Sequence, residues 1–252
     1  RWQVNTGTGF NNISDGGKYI GSMTSKLSIF NATADMDGYI YRVVISGICT
    51  PSINSPEATL TVNTKPAITG QPNDVTICEG DNTSFSVAAT GTFLTYEWQV
   101  DKNDGLGYTT ITDGGVYSDA TTATLQITGA DRTYNNYNYK VKVEGTCSPP
   151  MWSNIARLMV NTPPEILTEP VNSTICEFNN TSFFVIAAGG NISYQWQEND
   201  GTTGWQNLIS SGNYIGTNSP SLNIFNIDRT MNGYRYRVLI SGICPPDATS
   251  AE

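Results

Sequence analysis

Tyr137-Asn-Tyr139-Lys-Val-Lys-Val143-Glu-Gly-Thr-Cys147 decides the fold class. Tyr139, Val141 and Val143 fall on one side of an extended chain, and Lys140 and Lys142 fall on the other. A period of two is strand spacing, with one face buried and one wet. The same alternation opens Leu125-Gln-Ile127-Thr128 and recurs along the chain. Thr, Asn, Ser, Gly and Tyr dominate, long helix formers are scarce, and no useful window shows helical apolar spacing. An all-β protein is expected.

This stretch has two copies, Tyr39-Ile-Tyr41-Arg-Val-Val-Ile-Ser-Gly-Ile-Cys49 and Tyr234-Arg-Tyr236-Arg-Val-Leu-Ile-Ser-Gly-Ile-Cys244. Two further anchors keep step with it. Trp2-Gln3, Trp98-Gln99 and Trp196-Gln197 are 96 and 98 residues apart, and Leu-x-Ile falls at Leu27/Ile29, Leu125/Ile127 and Leu222/Ile224. The opening of the repeat is visible twice. Pro66 to Pro72, Thr76-Ile-Cys78-Glu-Gly80 and Thr83-Ser-Phe85-Ser-Val87 match Pro164 to Pro170, Thr174-Ile-Cys176-Glu-Phe178 and Thr181-Ser-Phe183-Phe-Val185. Residues 63–160 then form one complete repeat. Residues 1–62 form a repeat without its first strands, and 161–252 a repeat without its last. Arg1-Trp2-Gln3 reads as mid-domain sequence, so an excerpt from a longer chain is expected. A period near one hundred residues is domain-sized, and each repeat should own a core. Asn63-Thr-Lys-Pro66 and Asn161-Thr-Pro-Pro164 are short linkers stiffened by proline.

Within 63–160, strands centre on Ile68, Val75, Val87, Trp98, Thr110, Leu125 and Val141, with a last one over Ala156–Val160. Asn103-Asp-Gly105 and Asp113-Gly-Gly115 mark turns, and no helix is needed. This order, with Trp, then Leu-x-Ile, then Asp-Gly-Tyr-x-Tyr, resembles the immunoglobulin-like fold over the whole chain. The resemblance implies tandem immunoglobulin-like β-sandwich domains arranged as a rod. It puts Trp2, Trp98 and Trp196 in the core on strand C, and Tyr41, Tyr139 and Tyr236 at the tyrosine corner near the start of strand F. Asp37 precedes Tyr41 as the family pattern has it. The usual core cysteines of strands B and F are absent. Val87 and Val141 take their places, with Val185 and Val238 in the third repeat.

Cys49, Cys78, Cys147, Cys176 and Cys244 repeat in position, which favours disulfides in a secreted chain. Pairing inside each repeat would give Cys78–Cys147 and Cys176–Cys244. The implied topology sets those ends at opposite poles, with Cys147 about 20 Å along the strand from Val141 at ~3.3 Å per residue. Disulfide Cα atoms must come within about 7 Å. The inter-repeat pair Cys78–Cys244 is therefore favoured, and Cys147 would pair with a cysteine preceding Arg1.

Lys and Arg number 13 against 22 Asp and Glu, a net charge of −9 that repels nucleic acid and anionic membranes. No apolar run is long enough to span a membrane. With no histidine, Ser-His-Asp and Cys-His arrangements and the usual zinc sets are excluded, so no catalytic, metal or cofactor site is expected. Asn103-Asp-Gly-Leu-Gly107 and Glu198-Asn-Asp-Gly201 are acidic loops too poor in oxygen ligands for calcium and are read as turns. Asn12, Asn31, Asn82, Asn172, Asn180 and Asn191 head Asn-x-Ser/Thr matches, of little meaning in a bacterium. Trp205 and Trp152 lie off the core position as candidate exposed, glycan-stacking rings. Only the core Trp recurs in all three copies, which favours a structural role over a glycan-binding one.

The phrases Ile-Cys-Glu-Gly, Tyr-x-Trp-Gln, Asn-Gly-Tyr-x-Tyr-Arg-Val and Ser-Gly-x-Cys resemble immunoglobulin-like repeats of very large secreted Bacteroidota proteins. Those proteins often leave by type IX secretion and include the mobile adhesins of gliding bacteria. The resemblance implies an extracellular, cell-surface stalk whose partners are neighbouring repeats of the same chain, surface glycans or other surface proteins. Glycan-binding repeats, or spacers of a secreted hydrolase, are the alternatives.

Overall fold

A computed structural model describes all 252 residues, Arg1–Glu252. It is built from short strands, and its only helical elements are the single 3-10 turns Ala34–Met36, Arg132–Tyr134 and Arg229–Met231. The chain forms two compact units, one of Arg1–Gln71, Val87–Tyr96 and Val141–Ser153, the other of Pro72–Ser86, Glu97–Lys140 and Asn154–Glu252.

The complete repeat shows how the strands make two layers. Thr83–Ser86 pairs antiparallel with Thr124–Ile127, which pairs with Tyr117–Ser118. The other layer runs Thr109–Thr110, Thr95–Asp101, Asn138–Glu144, Ala156–Asn161, Val75–Cys78. Its last pair is parallel, with Leu158 opposite Val75 and Asn161 opposite Cys78. The strand expected around Val87 breaks there. Thr83–Ser86 serves one sheet, and Ala88–Thr90 pairs with Ala67–Gly70 through a register shift. The two-residue strand Tyr117–Ser118 and the turn Arg132–Tyr134 had no signal in the apolar pattern. A bridge from Gly114 to Tyr117 fixes the first. In the second, the Asp131 carboxylate accepts from Thr133 N and caps the turn.

Alternation along each strand fills the core. Trp98, Leu125, Ile127, Tyr139, Val141, Val143, Ala156 and Leu158 are fully buried. In the third repeat Val185, Trp196, Leu208, Leu222, Ile224, Val238 and Ile240 form one cluster. Val185 and Val238 thus fill, by packing alone, the places where the resemblance would put a core disulfide. Each tryptophan also satisfies its indole N–H on a backbone carbonyl. Trp2 donates to Thr24 at 3.0 Å, Trp98 to Thr122 at 2.9 Å and Trp196 to Ser219 at 2.9 Å. A buried indole needs such a partner. Trp2 and Tyr236, read with their copies as core, are only half-buried. No strand within residues 1–62 stands where Thr83–Ser86 stands in the complete repeat, and none within 161–252 stands where Ala156–Asn161 does.

Candidate functional site

The feature that ties one repeat to the next is a joint built around Asn161-Thr-Pro-Pro164. Gly190 N donates to the Thr162 carbonyl at 3.0 Å, and Ile243 N donates to the Gly190 carbonyl at 3.0 Å. Two loop tips are thereby laid on the linker. Gly189 has φ of +148°, and a Cβ there would come within 3.0 Å of Pro164 Cα and 2.7 Å of Ile192 Cγ2. Glycine is what allows this approach. The linker Asn63-Thr-Lys-Pro66 is bound in the same way. Thr92 N donates to the Thr64 carbonyl at 3.2 Å and Thr146 N to the Thr92 carbonyl at 3.0 Å. Gly91, at φ of +147°, faces Pro66 as Gly189 faces Pro164.

At the second joint a disulfide links Cys78 to Cys244, with Cα atoms 5.6 Å apart and a sequence separation of 166. Cys78 ends the strand Val75–Cys78, opposite Asn161, and Cys244 follows the strand Arg235–Ser241. The pairings Cys78–Cys147 and Cys176–Cys244 are not made, and Cys49, Cys147 and Cys176 are thiols. Cys49 and Cys176 are exposed, and Cys147 is half-buried. Each of Cys49, Cys147 and Cys244 is followed, two residues on, by a cis-proline, at Pro51, Pro149 and Pro246.

A second recurring feature was missed in the sequence. The Arg237 guanidinium lies 4.1 Å from the centroid of the Trp205 ring, the Lys140 ammonium 3.9 Å from that of Tyr108, and the Arg42 guanidinium 3.7 Å from that of Phe10. The three rings occupy one place in three repeats and are all half-buried. So an aromatic besides the core Trp does recur, and the expectation of a lone Trp205 is corrected. It escaped notice because its identity changes from Phe to Tyr to Trp. The Gln of each Trp-Gln pair belongs to this feature in two copies. Gln3 Oε1 accepts from Arg42 Nε at 2.9 Å, and Gln197 Oε1 accepts from Arg237 Nε at 2.8 Å. In the middle copy Gln99 donates to Glu97 instead. Trp152 is 43% exposed and lies opposite Lys142 on a two-residue strand.

The tyrosines read as a corner meet a second tyrosine. Tyr41 and Tyr19 hydroxyls are 3.2 Å apart, Tyr139 and Tyr117 3.1 Å, and Tyr236 and Tyr214 3.4 Å. Burial favours the neutral phenol. It pushes Tyr117 and Tyr236 up to about 12, and Tyr139 is also pushed up, by burial and by the Tyr117 hydroxyl beside it. In the first two repeats the corner is held instead by the residue that follows the 3-10 turn. Asp37 Oδ1 accepts from Val62 N at 2.7 Å, and Asn135 Oδ1 accepts from Val160 N at 2.9 Å.

The acidic loops spend their carboxylates on their own backbone. Asp104 accepts from Leu106 N, and Asp200 from Thr202 N and Thr203 N, which holds the Asp200 carboxyl well below its usual range. Asn82 and Asn180 use their side-chain oxygens to accept from Gly129 N and Asn226 N. No group of three or more His, Cys, Asp or Glu side chains is placed to hold a metal ion.

The I-band fragment I67-I69 from titin superposes with a TM-score of 0.60 at 15% identity, over 99% of this chain and 85% of that one. DIP-gamma IG1+IG2 gives a TM-score of 0.53 at 18% identity, over 73% of this chain and 94% of that one. The fold is immunoglobulin-like. Sidekick-1 immunoglobulin domains 1-5 match over 99% of this chain and 53% of their own, with a TM-score of 0.53 at 16% identity. These likenesses are of fold alone. No family model matches the chain, and no curated protein matches its sequence. Tandem immunoglobulin-like domains fit a structural or adhesive repeat role. A disulfide in such a fold fits an extracellular protein. No helix is long and apolar enough to cross a membrane.

Proposed function

We propose that the chain is a set of stalk repeats from a large bacterial surface adhesin, exported by type IX secretion and projecting a distal adhesive module during attachment or gliding. The repeats in this reading carry no catalysis. Their work is mechanical: short strands knit two-layer sandwiches, and the joints resist extension and proteolysis. The observation that carries it is the joint itself. The same glycine tips and proline linker are built twice, and at one of them a disulfide crosses from one repeat to the next. A tether of that kind limits how far two neighbours can separate under load, whereas a core disulfide limits only its own domain. The test is the mass and peptide map of the native polypeptide from the cell surface. A very long chain filled with further repeats supports a stalk. A modest chain carrying one catalytic domain would make these repeats spacers of a hydrolase.

The recurring cation-capped aromatics favour a second reading, in which the repeats themselves bind glycans. Stacked sugars need a bare ring face, and each of these rings has one face under a cation. Trp205 fluorescence titrated with surface polysaccharide decides it: a saturable change supports binding, and a flat response leaves the rings as sheet caps.

A further inference from the structure

One layer of the third repeat turns an apolar face outward. The layer is made by Glu165–Thr168 on Ile186–Ala188, Thr181–Phe184 on Ser221–Ile224, and Tyr214–Ile215 on the far side of Ser221–Ile224. Its inward residues match those of the complete repeat. Val185, Leu222 and Ile224 are buried as Val87, Leu125 and Ile127 are. Its outward residues do not match. Thr69, Ser86, Ala88 and Ser118 of the complete repeat are replaced by Leu167, Phe184, Ile186 and Ile215. The four small or polar residues are all exposed, with the strand Ala156–Asn161 in place on the other layer, so this face is open in a whole sandwich. The four large residues are open too, at 59%, 49%, 52% and 56% of full exposure.

The four are neighbours. Phe184 and Ile186 flank the inward Val185, and Leu167 sits in the register shift beside Ile186. Ile215 lies opposite Asn223, two residues along the strand from the Ser221 that faces Phe184. Glu165 is the one charged residue on these strands. Single apolar residues on a surface need no explanation, but four joined on one sheet face make a patch on the order of 400 Å², the size that marks an interaction site. The first repeat shows part of the same change. Ile20 and Phe30 stand where Ile215 and Phe225 do, against Ser118 and Thr128 in the complete repeat. A face that recurs within the chain is matched by a partner that carries the same repeat.

We infer that this face of the third repeat pairs with the same face of a second copy of the chain, outer sheet against outer sheet. In a two-fold contact of that kind one patch covers its own equal, and sheets pack face to face about 10 Å apart. Charge favours the same place. Each copy carries −9, so two copies repel, and this nearly uncharged face is where they touch without setting like charges together. Area sets the strength. Two such patches bury about 800 Å², short of the ~1,200 Å² of a standard specific complex, so the pairing is weak and reversible. It depends on this face and not on whether the repeats form a stalk.

The experiment first caps the exposed thiols Cys49 and Cys176 with iodoacetamide, without reductant, which leaves Cys78–Cys244 intact and prevents disulfide-linked dimers. Sedimentation velocity of the capped chain over a wide range of concentration should show the weight-average coefficient climbing towards that of a two-chain particle. Added sodium chloride should raise it further, because salt screens the repulsion between copies. The combined variant Leu167→Thr, Phe184→Ser, Ile186→Ala and Ile215→Ser takes the complete repeat's own residues. It should stay monomeric at every concentration, with Trp196 emission unchanged. On the unaltered chain, hydroxyl-radical oxidation of Phe184 should fall as concentration rises, while that of Phe178, an exposed ring outside these strands, should not. An unaltered chain that stays monomeric throughout, a folded variant that associates equally, association that salt weakens, or equal protection of the two phenylalanines would overturn the proposal.

Discussion

Arg237 shows how much of a residue's role can sit on a face that apolar spacing ignores. Its guanidinium stacks on Trp205 and donates through Nε to Gln197. A partly exposed cation–aromatic stack contributes about 0.5–1 kcal/mol. Arg237→Ala should lower unfolding free energy by about 1 kcal/mol in a urea titration and alter Trp205 emission. Arg237→Lys should recover most of the loss, because Lys140 already caps Tyr108 in the middle repeat. The paired tyrosines make a separate prediction. The folded-state pKa values of Tyr41, Tyr117, Tyr139, Tyr214 and Tyr236 are raised, so their neutral hydroxyls stabilise the fold fully below about pH 10, the ordinary phenol value. That contribution is lost as pH climbs from about 10 towards the folded values, which reach about 12 for Tyr117 and Tyr236. Absorbance at 295 nm should show Tyr41, Tyr117, Tyr139, Tyr214 and Tyr236 ionising only well above pH 10, as the chain unfolds. A single titration of all of them near pH 10 would refute the buried pairs.

At the scale of the element, the loop tips on the linkers are the most sensitive points. Gly189 combines a positive φ with a close approach to Pro164 and Ile192. A left-handed or crowded non-glycine backbone costs about 1–3 kcal/mol. Gly189→Ala should lower thermal stability accordingly, while the same change at Gly204, where a Cβ meets nothing within 4 Å, should cost less. The strands themselves were legible because alternation is local. Tyr139, Val141 and Val143 are adjacent in sequence and share a face, and the copies of Trp98 fixed the repeat by their spacing. What was not legible depends on partners far apart in sequence. Val87 falls at a strand break because its flanks join different sheets. Tyr117 is recognised only through Tyr139, and Phe10, Tyr108 and Trp205 only through the cations on the neighbouring strand. Trp2 carries the core signature and is half-buried.

For the molecule as a whole, the Cys78–Cys244 bond decides whether successive repeats unfold together. In the chain-entropy view, closing a loop of 166 residues is worth about 5 kcal/mol. That value applies only if everything inside the loop unfolds at once. When both sandwiches are folded, the linker Asn161–Pro164 already keeps Cys78 and Cys244 near each other, and the bond adds little to either core. Its effect falls on the transition that releases both, so it couples domains whose stabilities would otherwise be nearly independent. Replacing both cysteines, Cys78→Ser with Cys244→Ser, should therefore leave tryptophan emission unchanged at 25 °C, because Trp98 and Trp196 keep their cores and their indole bonds. In calorimetry the transition of this part of the chain should move down and broaden or split. Treating the unaltered chain with reductant should reproduce the change, which separates loss of the bond from any effect of serine. An unmoved, undivided transition in both cases would mean that the hydrogen-bonded linker alone couples the repeats, and the mechanical role would pass from the disulfide to the glycine tips that hold Thr162 and Pro164.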